Sequence, residues 1–366
     1  MTSVDARAGR WAFPCVTVML LLATACTSQG SIAGPSPART FSPPSFGSSR
    51  TPTIAFHSDP GGRDDTYVMD DDGTSLVAVT DGMETVAQPY WSPDGTRLVV
   101  SCCASGVGRL FLVEGPGSAP VELAPNIAGA TNPAWSPDGS TIAFESIDDR
   151  SLYEVDVSGA VPGTPRPLGL SGAGPSWSPD GERIAFFADH QGSPDIYTAA
   201  ADGTQVVRLT RNSAPDYSPL WSSDGRIAFV SERGGDQDIY VMRADGSGQI
   251  DVSRNPWPDD SLAWSPDGRL IAYVAYLDGA DPHTIGDGNA EIFVVAVDGS
   301  GNRDLTGNPA WDGDPSWSPD GSAIAFTRRT DHAQIVVIQA DGSSERKLRG
   351  VPGTANDCCP AWRPSP

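Results

Sequence analysis

The feature that most constrains the fold is a short motif that recurs along the chain. The motif Trp-Ser-Pro-Asp-Gly and its variants begin at Trp91, Trp135, Trp177, Trp221, Trp264, Trp317 and Trp362. The successive spacings are 44, 42, 44, 43, 53 and 45 residues. A repeat of this period predicts an array of one supersecondary unit, each packed against the next.

Each repeat predicts four β-strands. The Asp-Gly turn of the motif is typical of a hairpin and is followed by an apolar strand such as 184–186. A second hairpin follows, in which a strand such as 238–242 runs into another Asp-Gly turn. Forty Gly and 33 Pro disfavour long helices. We therefore predict an all-β fold, a β-propeller of four-stranded blades over residues 53–366.

The two ends of the repeat region complement each other. The module at Trp362 lacks its second strand, while the region begins with an unpaired strand at 54–56. We expect one blade to contain strands from both termini, with Trp362 beside Ile54, so that no sheet edge is exposed. Seven blades are the preferred count, and six are the main alternative.

The N-terminal region predicts export. Residues 1–25 combine Arg7 and Arg10 with an uncharged stretch that is too short for a membrane span, which is typical of a secretory signal. Small residues before Cys26 resemble a lipobox, so Cys26 is the predicted lipidation site; an ordinary cleavage site is the alternative. Residues 26–52 form a Ser/Pro/Gly tether. We expect a protein held to a bacterial membrane only by its lipid, facing the periplasm or the exterior.

The repeat motifs resemble those of the TolB-like, or WD40-like, propellers of bacterial envelopes. The resemblance is closest at 175–186 and 238–246 and extends over the chain beyond the tether. It implies a non-catalytic envelope protein that binds a protein partner through one rim of the propeller. TolB itself has six blades and a separate N-terminal domain, whereas this chain has seven modules and a linker.

The net charge narrows the range of partners. With 24 Lys and Arg against 46 Asp and Glu, the formal charge is −22. A nucleic-acid-binding surface needs an excess of basic residues, so nucleic acid is excluded as a partner. We expect a monomeric propeller that binds an envelope protein or a surface glycan.

Two enzyme classes share this type of propeller. In peptidases similar to prolyl oligopeptidase it accompanies an α/β-hydrolase domain, but no Gly-x-Ser-x-Gly motif is present here. Oligogalacturonate lyases are similar propellers that hold a metal with His and Gln. His57, His190 and His332 each follow a second strand and lie on one face. A carbohydrate-active propeller, either glycan-binding or a metal-dependent lyase, is therefore the alternative to a non-catalytic protein.

Two sets of acidic residues have different interpretations. The Asp residues of the repeated turns, such as Asp94 and Asp138, are predicted to stabilise those turns. The insertion at 278–291 gathers oxygen ligands and could hold Ca²⁺, although a solvated acidic loop is favoured over this. No other cofactor is predicted.

The predicted binding rim lies in the loops that precede three of the motif tryptophans. Trp257 and Trp311 occupy matching loops of neighbouring blades, close to several carboxylates. The candidate residues are Asp216, Tyr217, Trp257, Asp259, Asp260, Trp311, Asp312 and Asp314. Such a patch suits a peptide, a basic loop or a glycan, and the equal alternative is that the indoles cap the blade cores.

Four cysteines form two vicinal pairs, Cys102–Cys103 and Cys358–Cys359. Export permits disulfides, and both pairs are expected on the same face near the closing blade. A disulfide between the pairs would join the ends of the ring and contribute roughly 4 kcal/mol.

Overall fold

The computed structural model describes residues 53–60, 64–81, 83, 86–104, 107–189, 192–277, 288–352 and 355–365. The predicted signal and tether, with Cys26, lie outside the described residues, as do His190 and most of the acidic insertion. Within the described ranges, no helix has the length and apolar character needed to cross a membrane.

The described residues form 28 β-strands. In chain order they are β1 (Ile54–Ser58), β2 (Asp65–Met69), β3 (Val77–Ala78), β4 (Val86–Trp91), β5 (Leu98–Ala104), β6 (Val107–Val113), β7 (Val121–Glu122), β8 (Ala130–Trp135), β9 (Thr141–Ser146), β10 (Ser151–Asp156), β11 (Arg166–Ser171), β12 (Ala173–Trp177), β13 (Arg183–Asp189), β14 (Pro194–Ala200), β15 (Val207–Arg208), β16 (Asp216–Trp221), β17 (Arg226–Ser231), β18 (Asp238–Arg243), β19 (Ile250–Asp251), β20 (Asp259–Trp264), β21 (Leu270–Leu277), β22 (Asn289–Ala296), β23 (Arg303–Asp304), β24 (Trp311–Trp317), β25 (Ala323–Arg329), β26 (Ala333–Gln339), β27 (Arg346–Lys347) and β28 (Asp357–Trp362).

The strands pair in seven antiparallel groups of four, which we number as blades. Blade 1 has the order β28-β1-β2-β3, and blades 2 to 7 follow as β4–β7, β8–β11, β12–β15, β16–β19, β20–β23 and β24–β27. A single parallel bridge, Ala290 to Trp311, joins blades 6 and 7. In blade 1 the two termini of the propeller meet, and Ile54 lies opposite Trp362. The predicted all-β fold with four-stranded blades is confirmed.

Apolar second strands form the centre of each blade. Ile54, Ala55 and Phe56 of β1 are fully buried, because neighbouring blades cover both faces of the sheet. The ring of Phe56 stacks on Tyr67 of the adjacent strand with centroids 5.9 Å apart. The same Phe–Tyr stacking recurs in blades 3 and 4. The repeated apolar triplet therefore fills the space between blades.

The Ser-x-Asp-Gly turn is held by its own side chains. In blade 3, Ser136 donates its hydroxyl proton to Asp138 at 2.6 Å and accepts the backbone N–H of Thr141 at 3.0 Å. Asp138 also accepts the backbone N–H of Ser140. These hydrogen bonds lower the pKa of Asp138, and the same holds for Asp320 in blade 7. The predicted turn-stabilising role of these Asp residues is confirmed.

The motif tryptophans connect each blade to the one before it. At five junctions the indole N–H donates to the backbone carbonyl just before the preceding tryptophan, at 3.0 to 3.2 Å. The pairs are Trp91 with Ala361, Trp135 with Tyr90, Trp177 with Ala134, Trp264 with Leu220, and Trp317 with Ala263.

A serine hydroxyl replaces the indole at the other two junctions. Ser176 accepts the backbone N–H of Trp221, and Ser316 accepts that of Trp362, each at 3.0 Å. The indole nitrogens of Trp221 and Trp362 have no hydrogen-bond partner among the described residues. The first strands of all neighbouring blades are thus joined by hydrogen bonds, including the junctions on either side of blade 1.

We predict that Trp317→Phe lowers the free energy of unfolding by about 1 kcal/mol more than Trp221→Phe does. Both indoles are mostly buried, but only that of Trp317 donates a hydrogen bond across a junction. The cavity left by the smaller ring is common to both variants, whereas only Trp221→Phe removes a buried donor without a partner, so the lost bond and this relief act in the same direction. Urea titrations measure the free energy of unfolding of the two variants and the wild type. Equal losses of this free energy in both variants would contradict a role for the indole N–H.

Candidate functional site

The predicted rim residues lie on one face of the propeller. We call it the loop face: the face at which the first strand of each blade begins and its second strand ends. Asp216, Asp259 and Trp311 are the first residues of β16, β20 and β24. The opposite face carries the Ser-x-Asp-Gly turns, and we call it the turn face.

The loops that enter blades 5, 6 and 7 are each held by an Asn–Asp pair. Asn308 donates its amide to Asp312 at 2.7 Å, while its carbonyl oxygen accepts the backbone N–H of Ala310 at 2.9 Å. Asn212 with Asp216, and Asn255 with Asp259, make the same two kinds of bond. All three Asp side chains are fully buried. These carboxylates close loops and present no surface to a partner.

Two of these carboxylates also form buried ion pairs. Arg328 donates two hydrogen bonds to Asp312, at 2.8 and 2.7 Å, and Arg233 approaches both oxygens of Asp216 at 3.0 Å. Tyr217 is buried as well, and its hydroxyl donates to Glu232 at 2.9 Å. Their partners are internal, which is typical of a structural role.

Both loop tryptophans pack inward. The Trp257 ring is half-buried and lies 6.1 Å from that of Phe293, centroid to centroid. Trp311 is 6 % exposed and lies beneath the guanidinium of Arg329 at 5.5 Å. A Cβ atom at Gly313 would lie 2.2 Å from the Trp311 ring, so this position requires glycine. Both indoles thus pack against blade cores, and a role for this rim in binding stays a prediction.

Asp259 belongs to a group of acidic residues between blades 5 and 6. This carboxylate cluster consists of Asp236, Asp238, Asp251 and Asp259, whose charges act on the pKa of Asp238 and Asp259, together with Asp260, which follows Asp259 in β20. Burial, followed by the Asp251 and Asp236 carboxylates, raises the pKa of Asp238 to about 7. Burial likewise raises the pKa of Asp259, despite hydrogen bonds from Asn255 and Ser253. The side chains of Asp236, Asp251 and Asp260 are half-buried and reach the surface.

Glu291, the last member of the predicted Ca²⁺ loop, lies elsewhere. It is buried within β22, where it accepts hydrogen bonds from the Thr306 hydroxyl and the Asn308 backbone. Burial raises its pKa to about 7. Residues 278–287 lie outside the described part of the chain. Glu291 is thus a strand residue that holds the loop into blade 7.

A second group of reactive side chains lies at the loop face of blade 1. This thiol cluster consists of His57, Asp64, Cys358 and Cys359. His57 Nδ1 lies 3.3 Å from Cys358 Sγ, and His57 Nε2 lies 3.0 Å from Asp64 Oδ1. The sulfur atoms of Cys358 and Cys359 are 2.9 Å apart. His57, Asp64 and Cys358 are buried, whereas Cys359 is half-buried.

The charges of the thiol cluster support one another. A hydrogen bond from Cys359 and the positive charge of His57 lower the pKa of Cys358, outweighing burial. Burial alone would lower the pKa of His57, but Cys358 and Asp64 raise it to about 10. The hydrogen bond with Cys358, burial and the Cys358 charge raise the pKa of the Cys359 thiol. These shifts favour a thiolate at Cys358 beside an imidazolium at His57.

Asp314 and Arg329 border this cluster. Burial and the Cys358 charge raise the pKa of Asp314 to about 6. The Cys359 backbone N–H donates to the Thr327 hydroxyl at 2.9 Å, which fixes blade 1 to blade 7. Of the predicted disulfide residues, Cys102 is buried in β5, and Cys358 and Cys359 carry free thiols. A disulfide between the two pairs stays a prediction.

The histidines do not converge on a metal site in the described part of the chain. His57 is engaged by Cys358 and Asp64, and His332 is exposed. Across the described ranges, no group of three His, Cys, Asp or Glu residues could hold a metal ion.

A groove of about 420 Å³ opens on the turn face between blades 3 and 4. It is lined by Trp177, Arg166, Glu154 and the turn residues Asp138 and Asp180. Arg166 pairs with Glu154 at 2.5 Å, and Trp177 is half-buried. An aromatic ring among polar groups is chemically suited to a sugar.

Comparison with known proteins places this geometry in a fold family. Residues 168–284 match the family described as TolB beta propeller domain (PD40). The chain carries a TolB-like β-propeller. The structure of TolB from Acinetobacter baumannii aligns with a TM-score of 0.54 at 22% identity, covering 87% of this chain and 68% of TolB. A comparison with curated protein sequences finds no match.

Enzymes also share this propeller. An oligogalacturonate lyase from Vibrio parahaemolyticus aligns with a TM-score of 0.56 at 13% identity, over 82% of this chain and 85% of the lyase. A puromycin-hydrolyzing peptidase from Mycobacterium tuberculosis aligns with a TM-score of 0.60 at 16% identity, over 85% of this chain but 57% of the peptidase. At these identities the likeness shows the fold alone.

The sequence analysis identified Asp259, His57 and the vicinal cysteines separately, and it missed Asp236, Asp251 and Asp64. The sequence pattern predicts Asp238 only as the start of a strand, because the burial that raises its pKa depends on tertiary packing. His57 and Cys358 are far apart in sequence, but the pairing of Ile54 with Trp362 would have placed His57 opposite Cys359. A β-bulge shifts the register by one residue and brings Cys358 there instead. The repeated Asn-x-x-x-Asp spacing was a further readable signal.

We predict that Asp238→Asn reduces the loss of stability on going from about pH 5 to about pH 8. The pKa of Asp238 is raised to about 7 in the folded protein, so the folded state holds a proton that the unfolded chain releases near pH 4. Stability therefore falls as pH rises through this window. Thermal unfolding midpoints at both pH values test this, with Asp298→Asn as control, because the pKa of Asp298 is lowered. An unchanged pH dependence in Asp238→Asn would contradict the assignment.

Proposed function

We propose that this protein is a non-catalytic cell-envelope propeller that binds a basic segment of a protein partner at its loop face, over the carboxylate cluster. The observation that carries the proposal is the carboxylate cluster between blades 5 and 6, where burial and neighbouring carboxylates raise the pKa of Asp238 and Asp259. Groups with such perturbed pKa values concentrate at functional sites.

Charge supports this choice of partner. The chain has a formal net charge of −22, so a basic segment is attracted to it from a distance. The local field of the carboxylate cluster then guides the segment to its site. Asp236, Asp251 and Asp260 reach the surface, where they can form ion pairs with Lys or Arg. A bound cationic side chain would also relieve the repulsion among the carboxylates and bring the pKa of Asp238 down.

Anchoring by a lipid at Cys26 would hold the propeller at the membrane where such a partner resides. The signal-like segment 1–25 and the tether 26–52 support this part of the proposal. Acyl chains bind a bilayer through their buried methylene groups and need no spanning helix.

We expect Cys26→Ser to move the protein from the membrane fraction to the soluble fraction, because the thiol that would carry the lipid is lost. Fractionation of the producing cells and mass measurement of the mature N-terminus test this. A second variant, Cys15→Ser, removes a thiol from the predicted signal and should leave the distribution unchanged. Membrane retention of Cys26→Ser would rule out the anchor.

A glycan ligand is the second candidate function. The groove beside Trp177 on the turn face favours it, because it combines an aromatic ring with Arg166 and Glu154. Such a site would bind oligosaccharide on the opposite side of the propeller from the carboxylate cluster. Arg166→Ala would then weaken glycan binding and leave protein binding intact.

We predict that Asp236→Asn/Asp260→Asn binds the protein partner about tenfold more weakly, equal to about 1.4 kcal/mol, because two surface charges are lost. The partner is first captured by the immobilised propeller from a detergent extract of the envelope and identified by mass spectrometry. Its affinity for each purified variant is then measured at low and high salt. The wild-type affinity should fall with salt, and that of the double variant should fall less.

The matched control is Glu114→Gln/Glu182→Gln. Both side chains are exposed and lie away from the carboxylate cluster, and the change in net charge is the same. Equal weakening by the two double variants would show a non-specific charge effect and contradict a site at the cluster. If no protein is retained, oligosaccharide arrays probed with and without chelator decide the glycan alternative.

A further inference from the structure

The β-bulge in the first strand of blade 1 brings two adjacent sulfur atoms to the same side of the sheet. Side chains of consecutive strand residues normally point to opposite faces, which would separate Cys358 from Cys359. Here the register shifts between Ala55 and His57, and Cys359 has a φ of 57°. A bulge re-aims a side chain, and the two Sγ atoms lie 2.9 Å apart as a result.

The same bulge occurs in other blades without cysteine. Asn132, Ser218, Ser261 and Asp314 occupy the corresponding position, three residues before the motif tryptophan, and each has a positive φ. The bulge is therefore a property of the repeat, and only blade 1 uses it to place a dithiol. The vicinal thiols are additional to what the fold needs.

The two thiols differ in access and in charge. Cys359 is half-buried as a residue, whereas Cys358 is 4 % exposed. Cys358 faces His57 at 3.3 Å, and Asp64 holds the other ring nitrogen of that histidine at 3.0 Å. A thiolate is the reactive form of cysteine and is favoured by a neighbouring cation. Cys359 is therefore the more exposed of the two residues, and Cys358 is the one that His57 favours as thiolate.

We propose that Cys358 and Cys359 form a thiol–disulfide exchange site that reduces a low-molecular-weight disulfide. Cys359, as thiolate after its proton moves to Cys358, attacks one sulfur of the external disulfide RSSR and releases RS⁻. Cys358 then loses that proton to solvent or to RS⁻ and attacks Cys359 Sγ, which expels the second RS⁻. The protein loses two electrons and becomes the vicinal disulfide, and RSSR gains them as two thiol equivalents.

His57 and Asp64 are positioning residues in this scheme. The imidazolium stabilises Cys358 as thiolate for the second step, and Asp64 fixes the ring orientation. A small substrate is favoured because Cys359 is half-buried. The product disulfide would join Cα atoms about 3.8 Å apart, closer than the usual range of about 4.4–6.8 Å. A strained disulfide is readily reduced again. This property is typical of disulfides that take part in exchange and not of permanent structural cross-links.

The test uses the full-length chain, reduced and then treated with one equivalent of 5,5′-dithiobis(2-nitrobenzoate) without denaturant. A background variant, Cys15→Ser/Cys26→Ser/Cys102→Ser/Cys103→Ser, removes the other four cysteines, so that only Cys358 and Cys359 can react. We expect two equivalents of nitrothiobenzoate released per equivalent of reagent consumed. We also expect a protein mass lower by two hydrogen atoms, and a peptide map with Cys358 joined to Cys359.

Single variants separate the two steps. Cys358→Ser should stop at a mixed disulfide on Cys359 and release one equivalent, while Cys359→Ser should react about tenfold more slowly or not at all. His57→Gln should move the pH at which the first release becomes rapid to a higher value, because the imidazolium no longer favours the shared thiolate, and a purely structural role would not shift this pH profile. Circular dichroism of each reduced variant shows whether it is folded.

Three results would overturn the proposal, and all can be read from the chain with its native cysteines if a variant fails to fold. They are the absence of reaction in the native state, separate labelling of both thiols without a link between them, and a link from Cys358 or Cys359 to Cys102 or Cys103. The last result would instead establish the cross-link between blades.

Discussion

The hydrogen bonds between the first strands of neighbouring blades are the interaction on which the rest of this structure depends. At five junctions the indole N–H of a motif tryptophan donates to a backbone carbonyl of the preceding blade, as Trp135 does to Tyr90. At the other two, the backbone N–H of Trp221 or Trp362 donates to the hydroxyl of Ser176 or Ser316. A blade has apolar side chains on both faces and cannot bury them alone. The junctions fix the angle at which apolar faces meet, and so they position every loop on the loop face.

The Asp residues of the repeat have different roles on the two faces of the propeller. On the turn face, Asp138 and its equivalents accept several hydrogen bonds in water, which lowers the pKa and makes the ionised form part of the turn. On the loop face, burial dominates, and the pKa of Asp238 rises. The same residue type therefore stabilises structure at one end and, at the other, is retained at an energetic cost that a bound cationic group would offset.

Blade 1 differs from the other blades because it is made from two distant segments. Its second strand brings His57, and its first strand brings Cys358 and Cys359, from opposite ends of the repeat region. The bulge that other blades fill with Ser, Asn or Asp here carries a thiol beside a second thiol. Closure of the sheet and assembly of the thiol cluster are one event, so the cluster exists only in the folded propeller.

The sequence by itself determined the all-β fold, the four strands of each blade, the turn chemistry and the pairing of Ile54 with Trp362, because these follow from a repeated local pattern. It also drew attention to Trp257, Trp311 and the Asp residues near them as an exposed rim. Only the tertiary structure decided that Asp216, Asp259 and Asp312 are buried and that both indoles pack inward. It alone brought Asp238 close to Asp259, and His57 to Cys358. Burial and a one-residue bulge depend on contacts between distant segments, and no periodicity along the chain encodes them.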